Sequence, residues 1–582
     1  MVDCATRTMM KDESSDIDVL VVGAGPTGLA LASQLARWGV RFRIIDKRPD
    51  RAQESRALAV QPRSLELLQS IGVGERLAAR GRTTTRLVLH LDRARPATID
   101  LGDIDRADTR FPYILLVSQA DTEAVMADHL ESCGVTIERR VELVAFQQNR
   151  NGLTCALRHE DGRDDSIRVR YLAGCDGAHS TVRKTANIPF EGGAYLQNFA
   201  LGDVEADGPL VPGGINVFAL GRGLAIFFPL GHPTTWRVIA IQGREPQATL
   251  AAREDEFSMD ELSLPELQAM VDDPTRGAVR LRDPVWLTRF RLHHRQAARY
   301  RDGNVFLAGD AAHIHSPVGA QGMNTGIQDS WNLGWKLAMV SRGVANEEIL
   351  ESYNAERWPV GRALLRATDR IFAGLERSVS RGSYAATLRR LIVRHVIAPA
   401  LSRRRIRSLA FHYVSQLGVR YANSPVVTEG TPQLAHGPRA GDRLPDARVR
   451  RGAQDAYLQE ELLKPCMMLL LCGPVEAWNG DTLRDLAREF QGVLGLTHLR
   501  RAGVHGPPGA ARETGSSDAT LVDEERTALA MLGVDSTAQY LIRPDGHVAF
   551  RCAGTDLAGV GDYLRRRFAP RQGHSPGYRG SP

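Results

Sequence analysis

The 582-residue chain is poor in every feature that marks a membrane-spanning, disulfide-stapled or metal-centred protein. Its longest apolar runs, such as MMLLLC at 467–472, fall far short of the roughly 20 residues that cross a bilayer as a helix. Seven cysteines (Cys4, Cys133, Cys155, Cys175, Cys466, Cys472, Cys552) are scattered along the chain, with no CxxC and no Cys/His cluster at zinc spacing. That pattern argues against a disulfide framework and a bound metal, and predicts reduced, mostly buried thiols. MVDCATRTMMKDESSD at the start lacks an apolar core, so no secretory leader is expected and a cytoplasmic protein is. Charge of one sign is scarce as well. Lys and Arg number 74 against 68 Asp and Glu, a net charge of +6, which gives no ground for nucleic-acid binding. The one local excess, RRLIVRHVIAPALSRRRIR at 389–407, reads as a solvated helix face. Its apolar residues recur at helical spacing, which leaves weak peripheral membrane contact open.

What is present is ample core material. Hydrophobic residues make up 43% and charged residues 24%, ordinary for a globular protein, and the length suits two or three domains. DVLVVGAGPTGLALASQLARWGVRFRIIDKR at 18–48 reads as buried strand, glycine turn, amphipathic helix and second strand. Gly23, Gly25 and Gly28 form G-x-G-x-x-G in that βαβ context. The first glycine allows a tight turn, the second a close approach of the backbone to a pyrophosphate, and the third close helix–strand packing. Asp46, 18 residues after Gly28 and ending the second strand, is placed to accept from ribose hydroxyls. It would repel a 2′-phosphate, so the fingerprint suits FAD or NAD over NADP and decides no further.

Two later segments narrow the choice. YLAGCDGAHSTVRK at 171–184 sets Asp176-Gly177 after an apolar run, with Ser180 and Arg183 following. GNVFLAGDAAHIHSPVGAQGMNTGIQDSWNLGWKLA at 303–338 sets Gly309-Asp310 after another strand and opens a long helix near Gly322. In this order, with ESRALAVQPRSLELL at 54–68, SQADTEAVMADHL at 118–130 and ESYNAERWPV at 351–360, they resemble the para-hydroxybenzoate-hydroxylase-like (class A) flavoprotein monooxygenases over residues 17–365.

The resemblance implies FAD as cofactor, NADPH or NADH as electron donor and O2 as co-substrate. It implies hydroxylation of a phenolic or polyketide-type aromatic ring through a flavin C4a-hydroperoxide. It places the FAD pyrophosphate on Gly23, Gly25 and Gly28 and the adenosine ribose on Asp46, where the family more often has the longer Glu, and counts Pro26, Thr27 and Lys47 among the cofactor-binding residues. Arg56 and Gln119 match FAD-contacting positions, Asp310 after Gly309 would hold the ribityl chain or pyrophosphate, and Asp176 would face FAD and NAD(P)H. Pro317, Gly319, Gly322, Met323 and Asn324 would lie at the isoalloxazine, where a helix N-terminus stabilises negative charge on the reduced ring. No base is found by motif. Gln61 stands where several polyketide hydroxylases carry His, and His293, His294, His313, His315 and Tyr113 are candidates by location alone.

The expected architecture is α/β. A Rossmann-like FAD-binding domain (17–82, 118–184 and 291–421, the last with a helical region) carries an inserted β-sheet substrate domain (83–117 and 185–290). A linker at 422–446 then leads to a C-terminal domain at 447–570 and a disordered tail at 571–582. GPRAGDRLPDARV at 437–449 and AQYLIRPDGHVAFRCAG at 538–554 resemble the thioredoxin-like domain of phenol and 3-(3-hydroxyphenyl)propionate hydroxylases. Cys466 and Cys472 stand too far apart in sequence for a dithiol motif, so association or homodimer support is the expected role rather than redox exchange. Rival readings are a Baeyer–Villiger or epoxidising monooxygenase on a polyketide and, from another class, a flavin-binding regulatory or scaffold protein.

Overall fold

The computed structural model describes residues 17–51, 58–90, 96–100, 108–150, 152–195, 197–219, 223–230, 234–244, 259–290, 293–315, 321–379, 403–503 and 519–568. Arg56, Pro317, Gly319, most of the arginine-rich stretch and the tail at 571–582 lie outside the described residues.

β1 (Ile17–Val22) is an aliphatic run whose last four residues are buried, as a strand covered on both faces must be. α1 (Pro26–Arg37) crosses over to β2 (Phe42–Asp46), which pairs with β1 in parallel. α2 (Pro62–Gln69) and α3 (Gln119–Ser132) follow, and then β3 (Asp164–Gly174), α4 (Thr181–Thr185) and β4 (Val305–Leu307). β3 lies parallel to β1 on the side away from β2, and β4 parallel to β3. Four parallel strands therefore end on one edge of the sheet, where open α/β sheets bind their ligands. Two long helices complete this part, α5 (Gly322–Ser341) and α6 (Glu348–Val379).

A second eight-stranded sheet is mostly antiparallel and draws strands from two separated stretches, Arg86–His90 with Ala97–Asp100 and the strands between Gln197 and Phe290. Side chains alternate across it. One face carries Phe218, Phe227 and Trp236 beneath the helix Leu264–Thr275. The other carries Phe199, Leu201, Ile239 and Ile241, with Tyr195, Phe228, Trp286 and Phe290 packed on them. A short sheet of Phe190–Ala194, His293–Ala297 and His313–Ile314 runs from this unit toward α5.

After α7 (Arg404–Val414), the C-terminal unit centres on β5 (Met467–Cys472), which is followed by α8 (Gly480–Glu489). β6 (Leu494–Arg501) pairs with β5 in parallel, β7 (Ala538–Ile542) antiparallel to β5, and β8 (Val548–Ala553) antiparallel to β7; α9 (Ala558–Phe568) closes the unit. Residues 422–446, composed like a linker, are built into the fold. Thr428–Glu429 adds a strand to β8, and Arg443 is 8% exposed against α2. Proline and glycine mark the turns of this segment, while the backbone pairing and charge burial that anchor it leave no trace in composition. No helix among the described residues is long and apolar enough to cross a membrane.

Candidate active site

The site begins where β1 runs out. Gly23 has φ +101°, and a Cβ there would sit 2.3 Å from the Cys175 carbonyl oxygen at the end of β3, so only glycine fits between the two strands. A Cβ on Gly28 would strike the Gly23 carbonyl oxygen at 1.8 Å, which is the close helix–strand approach. Gly25 is different: its Cβ would meet nothing within 4 Å. Gly25 is also the N-cap of α1, with no side chain capping the helix and no acidic residue in its first turn. An open glycine over uncapped amides fits an incoming pyrophosphate.

Thr27 is wedged at the centre. A Cβ on Gly309 (φ +61°) would meet Thr27 Oγ1 at 2.4 Å, and one on Gly326 of α5 would meet it at 2.3 Å. Ser330 Oγ donates to the Thr27 carbonyl at 2.6 Å, and a Cβ on Gly334 would lie 2.7 Å from Gln34 Cβ. Gly326, Ser330 and Gly334 thus form a small-residue stripe on α5 that brings its first turns against α1 and the Gly309 turn. The G-x3-S-x3-G spacing was visible in the sequence at 326–334, although the motifs did not include it.

Asp46 is 5% exposed at the end of β2. Its Oδ2 accepts from Ala24 N at 2.7 Å and its Oδ1 from Arg48 N at 2.9 Å, so the shorter carboxylate is drawn toward the glycine turn. Each oxygen keeps a second lone pair for a ribose hydroxyl. Lys47 instead points across the surface, 4.0 Å from Glu142. Gln119 opens α3 and donates to Glu123 Oε1 at 2.9 Å.

Asp176 follows β3 and serves its own loop: Oδ1 accepts from Ser180 Oγ at 2.6 Å and Oδ2 from Val182 N at 3.1 Å. Burial pushes its carboxyl up from the ordinary value, against these bonds. Arg183 then joins the two late motifs, donating to the Ala311 carbonyl at 3.0 Å and to the Ala178 carbonyl at 2.8 Å, with its guanidinium 3.8 Å from the Phe190 ring centroid. Asp310 is exposed on that turn.

At the start of α5, Gly322 and Met323 are half-buried. Asn324 is fully buried and its side chain clamps the segment before α2, accepting from Gln61 N at 2.8 Å and donating to the Ala59 carbonyl at 2.8 Å. That side chain therefore anchors the start of α5 to the segment before α2. The candidate bases separate. His313 is buried behind the turn with Nε2 2.7 Å from Asp329 Oδ2, an anchoring position. His315 lies against the start of α5, its Cε1 3.3 Å from where a Gly322 Cβ would be. His294 packs on Tyr195 at 4.8 Å, beside the aromatic face of the second sheet. Burial raises the Tyr113 hydroxyl above its ordinary value, which weakens it as a proton donor.

Residues 16–368 match the family model described as FAD binding domain. The chain belongs to that FAD-binding family. Its members' fold and the open glycine cradle agree, and FAD is the cofactor. Among the relatives, 6-methylpretetramide 4-monooxygenase of Streptomyces rimosus is 34% identical over 93% of this chain and 91% of its own length. Pentachlorophenol 4-monooxygenase of Sphingobium chlorophenolicum is 32% identical over 82% and 84%. Among solved structures, anhydrotetracycline hydroxylase from Streptomyces rimosus superposes with TM-score 0.72 at 27% identity, over 96% of this chain and all of that one. Aklavinone-11 hydroxylase in a ternary complex with FAD and aklavinone gives TM-score 0.70 at 25% identity, over 95% and 99%.

Proposed function

We propose that this chain is an FAD-dependent monooxygenase that uses NADPH or NADH and O2 to hydroxylate a phenolic or polyketide-type aromatic ring. The observation that carries the reading is the convergence of two helix starts, α1 and α5, on one sheet edge, held together by Thr27, Gly309 and Gly326. The uncapped start of α1 suits the pyrophosphate, and the start of α5 suits the ring edge that becomes negative on reduction. Bound FAD supplies hydride uptake and transfer of one oxygen atom of O2 to an electron-rich ring. The protein's part is to bind, orient and exclude water. The wall of Phe199, Leu201, Ile239, Ile241, Trp286 and Phe290 offers an apolar surface broad enough for a fused aromatic system. His294, beside Tyr195 at that wall, is the side chain best sited to take a phenolic proton.

The C-terminal unit we read as thioredoxin-like, supported by the strand order β8-β7-β5-β6 with β5 and β6 parallel and β7 reversed. Cys466 and Cys472 bracket β5 at opposite ends, about 20 Å apart by strand rise, so a dithiol exchange is not part of the reading.

Isotope labelling tests the function. With 18O2, reduced nicotinamide and a panel of phenols and fused aromatic polyketides, at least one compound gains a single labelled oxygen as a ring hydroxyl. Insertion into a carbon–carbon bond or an epoxide would move the chain to the rival monooxygenase chemistries. Hydrogen peroxide with no oxygenated product from any compound would overturn the reading.

A further inference from the structure

Behind the cofactor site lies a continuous set of buried charges that reaches into the C-terminal unit. It starts at Asp329 on the second turn of α5. Its Oδ2 accepts from Gly309 N at 3.1 Å and faces His313 Nε2, and its Oδ1 accepts from Arg357 Nε at 2.6 Å. Burial alone would push this carboxyl up; Arg357 and then His313 outweigh it and hold it below the ordinary range. Arg357 also donates to the Thr325 carbonyl at 3.1 Å, one helical turn earlier. The same guanidinium therefore holds the Gly309 turn, through Asp329, and the first turn of α5.

Glu356, the neighbour of Arg357 on α6, faces the other way. Arg543 donates to both its carboxylate oxygens, at 2.7 and 2.8 Å, and Lys336 Nζ from α5 lies 2.7 Å from Oε2. Arg543 also pairs with Asp545, whose carboxylate accepts from Trp335 Nε1 of α5 at 3.2 Å. Tyr421 closes the circuit: its hydroxyl accepts from Arg357 Nη1 at 3.1 Å, and its ring lies 5.2 Å from the Arg543 guanidinium and 4.2 Å from His547. Arg357, Glu356, Lys336 and Arg543 are all fully buried.

Buried ion pairs add little net stability compared with apolar packing of the same volume, because desolvation cancels most of their attraction. In some proteins they instead fix conformation. We propose that Arg543 is a positioning residue for the FAD site: by fixing Glu356 it sets Arg357, and through Asp329 and Thr325 the Gly309 turn and the start of α5. The C-terminal unit is then part of the cofactor-binding machinery, reached through RPDGH at 543–547. The inference rests on the FAD reading.

The test uses the full-length chain stripped of flavin and titrated with FAD, following quenching of flavin fluorescence and the visible flavin spectrum, with circular dichroism to establish folding. Arg543→Gln is expected to bind FAD at least tenfold more weakly with an altered flavin spectrum, and Arg543→Lys to recover part of the loss. Arg565→Gln, which breaks an exposed pair with Glu489 in the same unit, is expected to match the parent. Tyr421→Phe removes one hydroxyl without disturbing packing and is expected to weaken FAD binding about threefold, so it carries the test should Arg543→Gln not fold. Arg543→Gln added to Asp329→Asn is expected to cost less than the sum of the two, as residues in one network do. Parent-like FAD affinity and spectrum in folded Arg543→Gln or in Tyr421→Phe, or additive losses in the double variant, would overturn the inference alone. A parent chain that takes up no FAD would overturn it together with the FAD reading.

Discussion

The contact between α1 and α5 and the seam between α5, α6 and the C-terminal unit are equally buried, yet they are built by opposite means. The first is made of small residues. Gly326, Ser330 and Gly334 let α5 approach α1 closely, with Thr27 and Gln34 packed against them. The second is made of paired charges, with Arg63, Lys336, Glu356, Arg543 and Asp545 interlocked and Glu66–Arg443 continuing the line along α2. A small-residue contact fails by overfilling and a charged seam by losing one partner. The two should therefore respond differently to substitution, pH and rescue.

The largest effect is expected in the seam. Glu356→Gln leaves Arg543 and Lys336 buried with Asp545 as their main counter-charge and should cost about 3–5 kcal/mol, read from urea unfolding. A cost below about 1 kcal/mol would mean the seam relaxes and does not order its neighbours. Next comes Gly326→Ala in the helix contact. Better helix propensity returns at most about 1 kcal/mol, while a Cβ 3.2 Å from Gly309 Cα and 2.3 Å from Thr27 Oγ1 should cost about 1–3 kcal/mol by overpacking. FAD affinity should fall roughly tenfold, and Thr27→Ala in the same chain should restore part of it. No restoration would show that Thr27 is not the obstacle.

pH separates the charges themselves. Glu356 and Asp545 are held below the ordinary range, in each case by Arg543 ahead of any other charge and against burial, so they stabilise the fold at neutral pH and lose this progressively as pH falls below about 4. Asp446 runs the other way: burial, then Glu66, pushes it up to about 7. The folded chain then binds its proton more tightly than the unfolded chain, so stability falls as pH rises from about 4 to about 7. Asp446→Asn, which keeps an oxygen for the Ala447 and Gln459 amides, should leave stability at pH 4 nearly unchanged and raise it at pH 8 by on the order of 2 kcal/mol. An unchanged difference between the two pH values would remove Asp446 from the account. The smallest effect belongs to the thiols. Cys466→Ser with Cys472→Ala should leave nicotinamide-driven flavin reduction unchanged, and a marked loss would reopen a redox role for the C-terminal unit.

This contrast also explains what could be read from the residues alone. The dinucleotide turn was legible because G-x-G-x-x-G at 23–28 and Gly309-Asp310 act within a few residues of themselves, through φ and close approach. The inserted sheet was legible from alternating apolar runs between glycine and proline turns. The seam was not. Arg543 finds Glu356 from 187 residues away, and Arg443 finds Glu66 from 377, and nothing in a charged residue's neighbours announces a distant partner. Asp46 and Asn324 stand at motif positions, and what the motifs did not reveal is that their side chains bond Ala24, Arg48, Ala59 and Gln61, contacts set by tertiary geometry. The arginine-rich stretch at 389–407 was set aside as a solvated face; most of it lies outside the described residues.

Anaerobic reduction of the FAD-loaded chain by NADPH or NADH in a stopped-flow spectrometer, alone and with a panel of phenols and aromatic polyketides, tests the central claim most directly. The account predicts that the flavin is bleached by at least one of the two nicotinamides, and that at least one aromatic compound accelerates the bleaching by orders of magnitude. A bound flavin that neither nicotinamide reduces, with any compound present, would contradict it.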